Sequence, residues 1–312
     1  MGKFIIAGIT QLETIVKVDK IPIDYKSFTA LNGAIHTAAG GDAYNISLAM
    51  KWLGDDITFM TVVGRDQSMG IFNPPDREVT LDTRFVLPLM SETPMEVMFF
   101  DEQRKEQAFE DLKDIRDVGY EMSLVDSIID SAEMVFVSNA NFCRPIMQLA
   151  GEHNKKLAVK IHSFCREKEK YNADFLSAAN IVFFSDVTGE DPFEFAQGMA
   201  KKYDIDLIII GQGAEGLLLH DNVRNMTVHY DPIRTGKVVN TAGAGNALFA
   251  CFLHYCMKGM DATDAIHKAL LFTSNKIGYM GTSNGFMTES QLEQWDNLIW
   301  DPRGTKNIVE QS

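Results

Sequence analysis

The sequence predicts an α/β protein, in which helices cover both faces of a mostly parallel sheet and a second, small sheet lies beside it. Short runs of consecutive apolar residues recur along the chain, and such runs are typical of strands buried on both faces. Segments with helical spacing separate these runs, and strands that alternate with helices usually form a parallel sheet. Between about residues 80 and 107, apolar and polar residues alternate instead, which is typical of strands with one face in water.

The predicted elements follow from these patterns in chain order. Buried strands are predicted at residues 4–7, 57–63, 134–137, 157–159, 181–184 and 207–210. Helices are predicted at residues 44–53, 124–132, 145–153, 175–179 and 192–202. Solvent-facing strands at about 14–36 and 80–107 would form a small sheet over one end of the larger one. We therefore expect a single domain over residues 1–300, followed by a polar C-terminal tail at 301–312.

Composition and charge exclude several classes of function. The 312 residues carry a formal net charge of −14, which opposes binding to nucleic acid and to anionic membranes, because both need clustered Lys and Arg. No stretch approaches the roughly 20 apolar residues of a membrane span. The four cysteines show no C-x-x-C spacing, which fits a reducing compartment better than a disulfide framework. We therefore expect a cytoplasmic protein that acts on a small molecule and binds neither nucleic acid nor membrane.

The most informative segment, residues 239–248, reads V-N-T-A-G-A-G-N-A-L. Its core, Gly243-Ala244-Gly245, leads directly into an apolar run at residues 247–253 that has the character of a buried helix. A glycine turn at a helix start presents unpaired backbone N–H groups and the positive end of the helix dipole, and both favour a bound anion. An enzyme that transfers phosphate needs such an anion site with a base beside it. The adjacent side chain is Asn246, whose amide accepts no proton at neutral pH.

A second glycine motif, G-Q-G-A-E-G at residues 211–216, matches G-x-G-x-x-G and follows a predicted strand. A dinucleotide site would require a helix after these glycines, but residues 217–220 read as another strand. The motif therefore predicts a connection between strands that can still line a nucleotide pocket, and an NAD-linked oxidoreductase has no other support. The sequence contains no G-x-x-x-x-G-K-[ST], H-E-x-x-H or G-x-S-x-G motif.

Two weaker glycine motifs lie in the first quarter of the chain. Residues 40–42 read G-G-D and open a predicted helix, and Asn45 lies one turn further along it. Paired glycines let a ligand approach the backbone closely, although the same residues could form only a turn and a helix N-cap. Residues 63–70 begin with V-G-R-D and have turn chemistry at the end of a predicted strand.

Taken in order, these motifs resemble those of the ribokinase (PfkB) family of carbohydrate and nucleoside kinases. The family's G-x-x-x-x-[DE], G-G-x-x-x-N, V-G-x-D with a glycine shortly after it, G-x-x-G and D-T-x-G-A-G-D correspond to residues 8–13, 40–45, 63–70, 213–216 and 240–246. The resemblance covers most of the chain. It implies a three-layer α/β/α sandwich with a mostly parallel sheet and a small β-sheet lid.

The resemblance also implies an activity and the residues that carry it. The activity is ATP-dependent phosphorylation of a hydroxyl on a small sugar or related compound, with Mg²⁺. The substrate-binding residues would be Glu13, Gly41, Asp42, Asn45 and Arg104, although Arg104 could equally be a solvated side chain. The catalytic loop would consist of Gly243, Ala244, Gly245 and Asn246. The nucleotide would contact Gly213, Gly216, Thr241, Gly243 and Asn275.

Several carboxylates of the family pattern are missing from this chain. Asn246 stands where the family has the Asp that removes the proton from the acceptor hydroxyl, and general-base catalysis contributes about 10²–10⁴-fold. Asn240 also replaces an Asp, in a region that helps the family hold a monovalent cation, so binding of such a cation is expected to weaken. The family's N-x-x-E aligns with S-D-V-T at 185–188, where Asp186 or Glu190 could substitute for the Glu, and residues 160–162 lack the expected Asp.

These losses leave alternatives to an ordinary kinase. The chain could be a slow or specialised kinase, a catalytically impaired sugar- or nucleotide-binding pseudokinase, or a kinase in which residue 246 was substituted. The oligomeric state is also open. The alternating residues 95–100 predict a lid sheet whose apolar face needs cover, from a homodimer through the lids or from a lid that folds over the cleft.

Overall fold

A nine-stranded sheet lies at the centre of the fold, and a four-stranded sheet lies beside it. The structure, a computed structural model, describes residues 2–66, 69–74, 78–103 and 105–299, and the numbers of strands and helices refer to these ranges. The strands in chain order are β1 (Lys3–Ala7), β2 (Gln11–Lys17), β3 (Ile35–Gly40), β4 (Asp56–Gly64), β5 (Val86–Met90), β6 (Met95–Phe100), β7 (Glu106–Asp111), β8 (Met134–Ser138), β9 (Lys156–Ile161), β10 (Ile181–Phe184), β11 (Leu207–Gly211), β12 (Leu217–Asp221) and β13 (Met226–Tyr230).

The helices in chain order are α1 (Asp42–Trp52), α2 (Met122–Asp126), α3 (Arg144–Glu152), α4 (Glu169–Ala178), α5 (Pro192–Tyr203), α6 (Ala244–Met257), α7 (Ala262–Lys276) and α8 (Glu289–Ile299). They cover both faces of the large sheet, and each face has its own apolar core. Residues of α1, α6, α7 and α8 pack in one core, and residues of α2, α3, α4 and α5 pack in the other. None of the helices in the described ranges is long and apolar enough to cross a membrane.

The large sheet is mostly parallel, with the order β13-β12-β11-β10-β9-β8-β1-β4-β5. The strands from β11 to β5 in this order pair in parallel, whereas β12 and β13 pair antiparallel at one edge. The predicted α/β class with a mostly parallel sheet and a small separate sheet is confirmed. Because parallel strands end at the same edge, the loops after them meet there, and ligands of such folds usually bind at that edge.

The small sheet has the order β3-β2-β6-β7 and is the lid. Its strands differ in extent from the prediction. Residues 18–34, which were expected to contribute to solvent-facing strands, form a loop, because they are mostly exposed and offer little apolar surface to pack. Strand β5, within the 80–107 region, pairs with β4 in the large sheet instead, because Val86 and Met90 are buried there.

Two predicted helices also differ in extent. Helix α4 begins at Glu169, several residues before the predicted start at 175, and the charged segment that precedes it forms a 3₁₀ turn at Arg166–Lys168. The predicted helix at 124–132 is divided into α2 and a 3₁₀ turn at Ile129–Ser131. The predicted tail at 301–312 and Arg104 lie outside the described residues.

Candidate functional site

A cavity of about 1180 Å³ lies between the carboxyl ends of the parallel strands and the lid. Its walls come from both sheets, from the first turns of α1 and α6, and from the loop that begins at Gly211. Pockets for one drug-sized ligand usually measure roughly 300–1,000 Å³. The cavity is therefore larger than one small ligand needs.

The start of α6 has the glycine turn that the predicted anion site requires. Gly243 is the N-cap of α6 and adopts φ +77°, a left-handed conformation that favours glycine. A Cβ at this position would lie 2.5 Å from the carbonyl oxygen of Thr282, so another loop packs directly against the turn. Gly243 has no side chain that could cap the helix, and Gly243, Ala244 and Gly245 all line the cavity. The Ala244 N–H donates to the Thr241 carbonyl at 3.0 Å, and the Gly245 N–H, in the same first turn of α6, is left for an anion in the cavity.

A carboxylate lies beside Asn246, although it comes from a different element. Asp42, the first residue of α1, lines the cavity beside the Asn246 side chain, whose proximity contributes to lowering the Asp42 pKa. Its carboxylate also contacts the Lys160 ammonium at 2.5 Å, in a pair whose side chains are 13% and 4% exposed. Burial by itself would raise the pKa of Asp42, but the Lys160 charge and the hydrogen bond from Lys160 lower the pKa below its usual value. Asp42 is therefore ionised at neutral pH, next to the position where the base was missing.

The Lys160 charge and burial also lower the pKa of His162, which lines the same cavity. His162 is therefore neutral at physiological pH. Lys160 and His162 were not expected from the sequence as site residues. A lysine near the end of an otherwise apolar strand is a signal that could have found the first of them, because a buried lysine needs a partner.

The lid side of the cavity contains buried polar groups that suit a hydroxyl-rich ligand. Asn45 is fully buried, and neither its amide nitrogen nor its oxygen has a hydrogen-bond partner within the described part of the chain. The side-chain oxygen of Gln11 is likewise unpartnered among these residues. Buried polar groups in native proteins are usually paired, so these atoms are available to a ligand. Both side chains line the cavity.

Glu13 is already held by the protein. Its carboxylate accepts hydrogen bonds from the Gly41 N–H at 2.7 Å, from the Gln11 amide at 3.3 Å and from the Thr282 hydroxyl. Burial raises its pKa although these hydrogen bonds act in the opposite direction. Glu13 lines the cavity but also fixes the glycine turn before α1, where Gly41 adopts φ +89°.

Two further carboxylates project from the lid into the cavity. Burial, followed by the charges of Glu13 and Glu110, raises the pKa of Glu96 to about 7. Burial also raises the pKa of Glu110, with Asp42 as the next cause. Glu96 accepts a hydrogen bond from the Gln11 amide at 2.6 Å. These lid residues were missed by sequence reasoning, which treated residues 95–100 only as an alternating strand.

The other end of the cavity is glycine-rich and apolar. Gly213 and Gly216 line it, and Gly216 is followed by β12, so the dinucleotide-binding arrangement of a strand, a glycine turn and a helix does not occur at this position. Apolar side chains complete this end: Pro232, Ile233, Leu248, Leu270 and Ile277. Such a surface fits the face of a purine base. Thr241 also lines the cavity, and its hydroxyl donates to Glu106 of the lid.

Asn275, which was expected to flank the nucleotide base, has another role in the structure. Its amide donates to the Gly285 carbonyl at 3.0 Å, and its neighbour Ser274 lines the cavity instead. The structure thus brings together around one cavity all the other described site candidates: Glu13, Gly41, Asp42, Asn45, Gly213, Gly216, Thr241, Gly243, Ala244, Gly245 and Asn246. Arg104 cannot be placed, because it lies outside the described residues.

The residues present do not build a metal cage. In the described ranges, no group of three or more His, Cys, Asp or Glu side chains converges on a common point. Glu190 pairs with Arg166 at 2.7 Å, and the Asp186 carboxylate accepts from Thr188 at 2.9 Å; neither carboxylate is among the cavity-lining residues described. Mg²⁺ commonly binds through substrate phosphates, water and only one or two carboxylates, so it fits this site as an ion that arrives with a nucleotide.

Comparison with known proteins identifies relatives of this fold. A family model described as pfkB family carbohydrate kinase matches residues 8–289. The chain is 20% identical over 314 residues to a ribokinase from Dictyostelium discoideum, covering 92% of this chain and 98% of that one. A putative ribokinase from Agrobacterium tumefaciens has a TM-score of 0.83 at 16% identity, covering 97% and 99% of the two chains. An Arabidopsis thaliana ribokinase, solved with ribose and ATP, has a TM-score of 0.73 at 14% identity, covering 94% and 97%.

Proposed function

Because the chain belongs to the pfkB family of carbohydrate kinases, we propose that it transfers the terminal phosphate of ATP to a hydroxyl of a small sugar or related compound. The membership and the homologous ribokinases support sugar kinase activity as such. The more specific proposal, phosphoryl transfer from ATP, rests on the Asp42 carboxylate. This group lies beside Asn246 in a cavity that is also lined by the start of α6.

In this proposal, Asp42 is the general base. The acceptor hydroxyl gives its proton to the Asp42 carboxylate as its oxygen bonds to the terminal phosphorus, and the bond from that phosphorus to the bridging oxygen breaks to release ADP. The Asn246 amide lies beside the Asp42 carboxylate and is placed to orient it. The backbone N–H groups of Gly243 and Gly245 stabilise the charge on the transferring group, while that of Ala244 donates to the Thr241 carbonyl and holds the turn.

The two ends of the cavity support the arrangement of the substrates. The sugar binds at the lid end, where its hydroxyls satisfy the unpartnered amide of Asn45 and the unpartnered side-chain oxygen of Gln11. The nucleotide binds at the glycine-rich end, beside Gly213, Gly216 and Thr241. ATP is the proposed donor, and the Arabidopsis ribokinase with ribose and ATP supports this choice. Mg²⁺ bound to the phosphates supplies further neutralisation of their charge.

A catalytically impaired sugar- or nucleotide-binding pseudokinase is the second candidate. Two observations favour it: the amide at residue 246, and the ion pair between Asp42 and Lys160, which lowers the basicity of Asp42. Both candidates retain ligand binding, and they differ in turnover.

The test measures ADP release with Mg²⁺-ATP against a panel of sugars and nucleosides. We expect turnover by the unmodified chain and a loss of about 10²–10⁴-fold in kcat for Asp42→Asn, because that change removes the base. The double variant Asp42→Asn/Asn246→Asp should regain activity, since it moves the carboxylate to the neighbouring position. Asp186→Asn, which changes a carboxylate outside the set of cavity-lining residues, is the matched control and should retain activity.

The outcomes separate the candidates. Turnover by the unmodified chain that survives Asp42→Asn would reject Asp42 as the base. If no sugar is phosphorylated by either the unmodified chain or the double variant, while calorimetry shows that a sugar or ATP binds, the chain is a pseudokinase.

We further propose that residues 1–300 act as one α/β domain, because both sheets line the cavity, and that the protein is a cytoplasmic homodimer that pairs through the lid. The four cysteines are free, which supports a reducing compartment. The outward face of the lid supports the dimer. Since side chains alternate along a strand, Glu96 and Glu110 face the cavity while Val97, Phe99 and Phe109 face away from it.

A further inference from the structure

A buried lysine that forms no ion pair with a carboxylate of the described residues lies behind the start of α6. Lys276 is the last residue of α7, and its exposed fraction is 0%. The hydrogen bonds of its ammonium go to the carbonyl oxygen of Ala242 and, at 2.7 Å, to that of Gly281. An ammonium that is buried among backbone carbonyls loses its hydration, and these carbonyls have to replace it.

The two carbonyls belong to the two loops that build the site. Ala242 directly precedes the glycine turn at the start of α6, and its N–H donates to the side-chain oxygen of Asn240 at 3.1 Å. Gly281 directly precedes Thr282, whose backbone packs against Gly243 and whose hydroxyl donates to Glu13. Lys276 therefore links the loop that contains Ala242, before α6, to the loop that contains Gly281 and Thr282, which also contacts the lid end of the cavity.

Converging backbone carbonyls are also the ligands with which proteins hold small monovalent cations. The family resemblance implied such a cation near Asn240, but the residues of this chain do not fit one. The carbonyls of Ala242 and Gly281 are both bonded to the Lys276 ammonium, and Asn240 is neutral. We infer that the Lys276 ammonium takes the place of a bound monovalent metal cation and holds the loop at residues 240–246 in position. Lys276 is thus a positioning residue, and the protein works without such a metal cation.

The electrostatics are consistent with this role. Burial lowers the pKa of Lys276 to about 8, and the negative charges of Glu13 and Glu106 oppose that shift. The ammonium therefore remains charged at neutral pH. It also lies at the carboxyl end of α7, where the helix dipole stabilises a positive charge.

The experiment compares potassium chloride with tetramethylammonium chloride at equal concentration, because the latter ion is too large for such a site. We expect the unmodified chain to have the same melting temperature and the same affinity for ATP in both salts. Lys276→Ala removes the ammonium and leaves room for an ion. Its melting temperature should be lower and should rise with potassium concentration, as binding to the folded state requires. Lys201→Ala, which removes an exposed lysine from α5, should respond to neither salt.

The measurement of kcat rests on the proposed kinase function. With the sugar that the unmodified chain phosphorylates, kcat of Lys276→Ala should fall by about 10²-fold in tetramethylammonium, because the loop is misplaced, and should recover in potassium. Potassium rescue distinguishes positioning by a cation from a merely structural role.

A higher melting temperature or tighter ATP binding of the unmodified chain in potassium than in tetramethylammonium would overturn the inference. This comparison needs no variant, so it decides the matter even if Lys276→Ala does not fold. A chain without kinase activity would contradict the proposed function, and the melting comparison would still decide between a built-in and a free cation.

Discussion

At the scale of single residues, the central feature is a carboxylate supplied from an unexpected position. The sequence shows that residue 246 is an amide, and this remains true in the structure. It does not show that Asp42 lies beside that amide, because the two residues are far apart in the chain and meet only when α1 and α6 pack on the same face of the sheet. The proposed base and its Asn partner therefore come from two separate motifs.

Glu96 provides a pH test of the lid end of the site. Its pKa is raised from 4.5 to about 7, so its protonated form is favoured in the folded protein. The stability that this preference contributes is fully present below about pH 4.5 and is lost as the pH rises through about 7. Glu96→Gln removes the ionisation. We therefore expect its melting temperature, relative to that of the unmodified chain, to be higher at pH 8 than at pH 5.

The measurement is thermal unfolding in the absence of ligand at several pH values. Glu152→Gln, at an exposed position on α3, is the matched control and should melt in parallel with the unmodified chain throughout. If the difference between Glu96→Gln and the unmodified chain is the same at pH 5 and pH 8, the raised pKa is wrong.

At the scale of elements, the start of α6 depends on a backbone conformation and on close packing together. Helix α6 is buried along most of its length, and Phe249 lies between Phe136 and Phe183, with ring centroids at 6.0 and 5.3 Å. The sequence predicted this buried helix, because its apolar run is long. It did not predict that the loop containing Thr282 packs against the helix start, since no local pattern marks that loop.

Gly243→Ala tests this packing. An alanine at position 243 would have to adopt a left-handed backbone conformation, and its Cβ would lie 2.5 Å from the Thr282 carbonyl oxygen. The turn at residue 243 and the loop that contains Thr282 would therefore have to separate. Gly259→Ala is the matched control: Gly259 has φ +81°, but a Cβ there meets nothing within 4 Å. The control should lose about 1–2 kcal/mol of stability from the backbone alone.

We expect Gly243→Ala to lose more stability than Gly259→Ala and also to bind ATP more weakly, because the anion site is displaced. Chemical denaturation gives the first quantity and calorimetry with ATP the second. Equal losses of stability for the two variants, with ATP affinity retained, would contradict a role for this packing.

At the scale of the whole molecule, the lid has an apolar face that is exposed to solvent in the single chain. Both edge strands of the lid have exposed apolar residues on the face turned away from the cavity: Ile35 of β3 is 58% exposed and Phe109 of β7 is 59% exposed. Phe99 packs against Phe109 at 6.4 Å between ring centroids on the same face. A contiguous exposed apolar face of this kind usually marks an association surface.

Light scattering tests the proposed lid dimer. We expect the unmodified chain to have twice the mass of one chain, and Ile35→Ser/Phe109→Ser to have the mass of a monomer. Val223→Ser changes an apolar residue that is 79% exposed in the turn between β12 and β13, and this control should remain a dimer. A dimer that persists in the double variant would exclude the lid as the interface, and a monomeric unmodified chain would favour a lid that closes over its own cleft.

The sequence by itself determined the fold class of this protein and the glycine turn at the start of α6. Buried strands, the apolar helix α6 and the G-A-G turn are local signals, because burial on both faces and helix starts leave patterns over a few consecutive residues. The order of the glycine motifs was enough to identify the family. The extent of the lid strands was predicted less well, since residues 18–34 and β5 depend on what they pack against.

Only the tertiary structure decided which charges meet at the site. The contacts between Asp42 and Lys160, between Glu96 and Gln11, and between the Lys276 ammonium and the Ala242 carbonyl join elements that are distant in the chain. Their proximity follows from the order in which the parallel strands pair and from the position of the lid, and their pKa shifts follow from burial. Neither strand order nor burial of an individual charge is encoded in a local pattern, so sequence reasoning could identify the missing carboxylate but not the groups that surround its position.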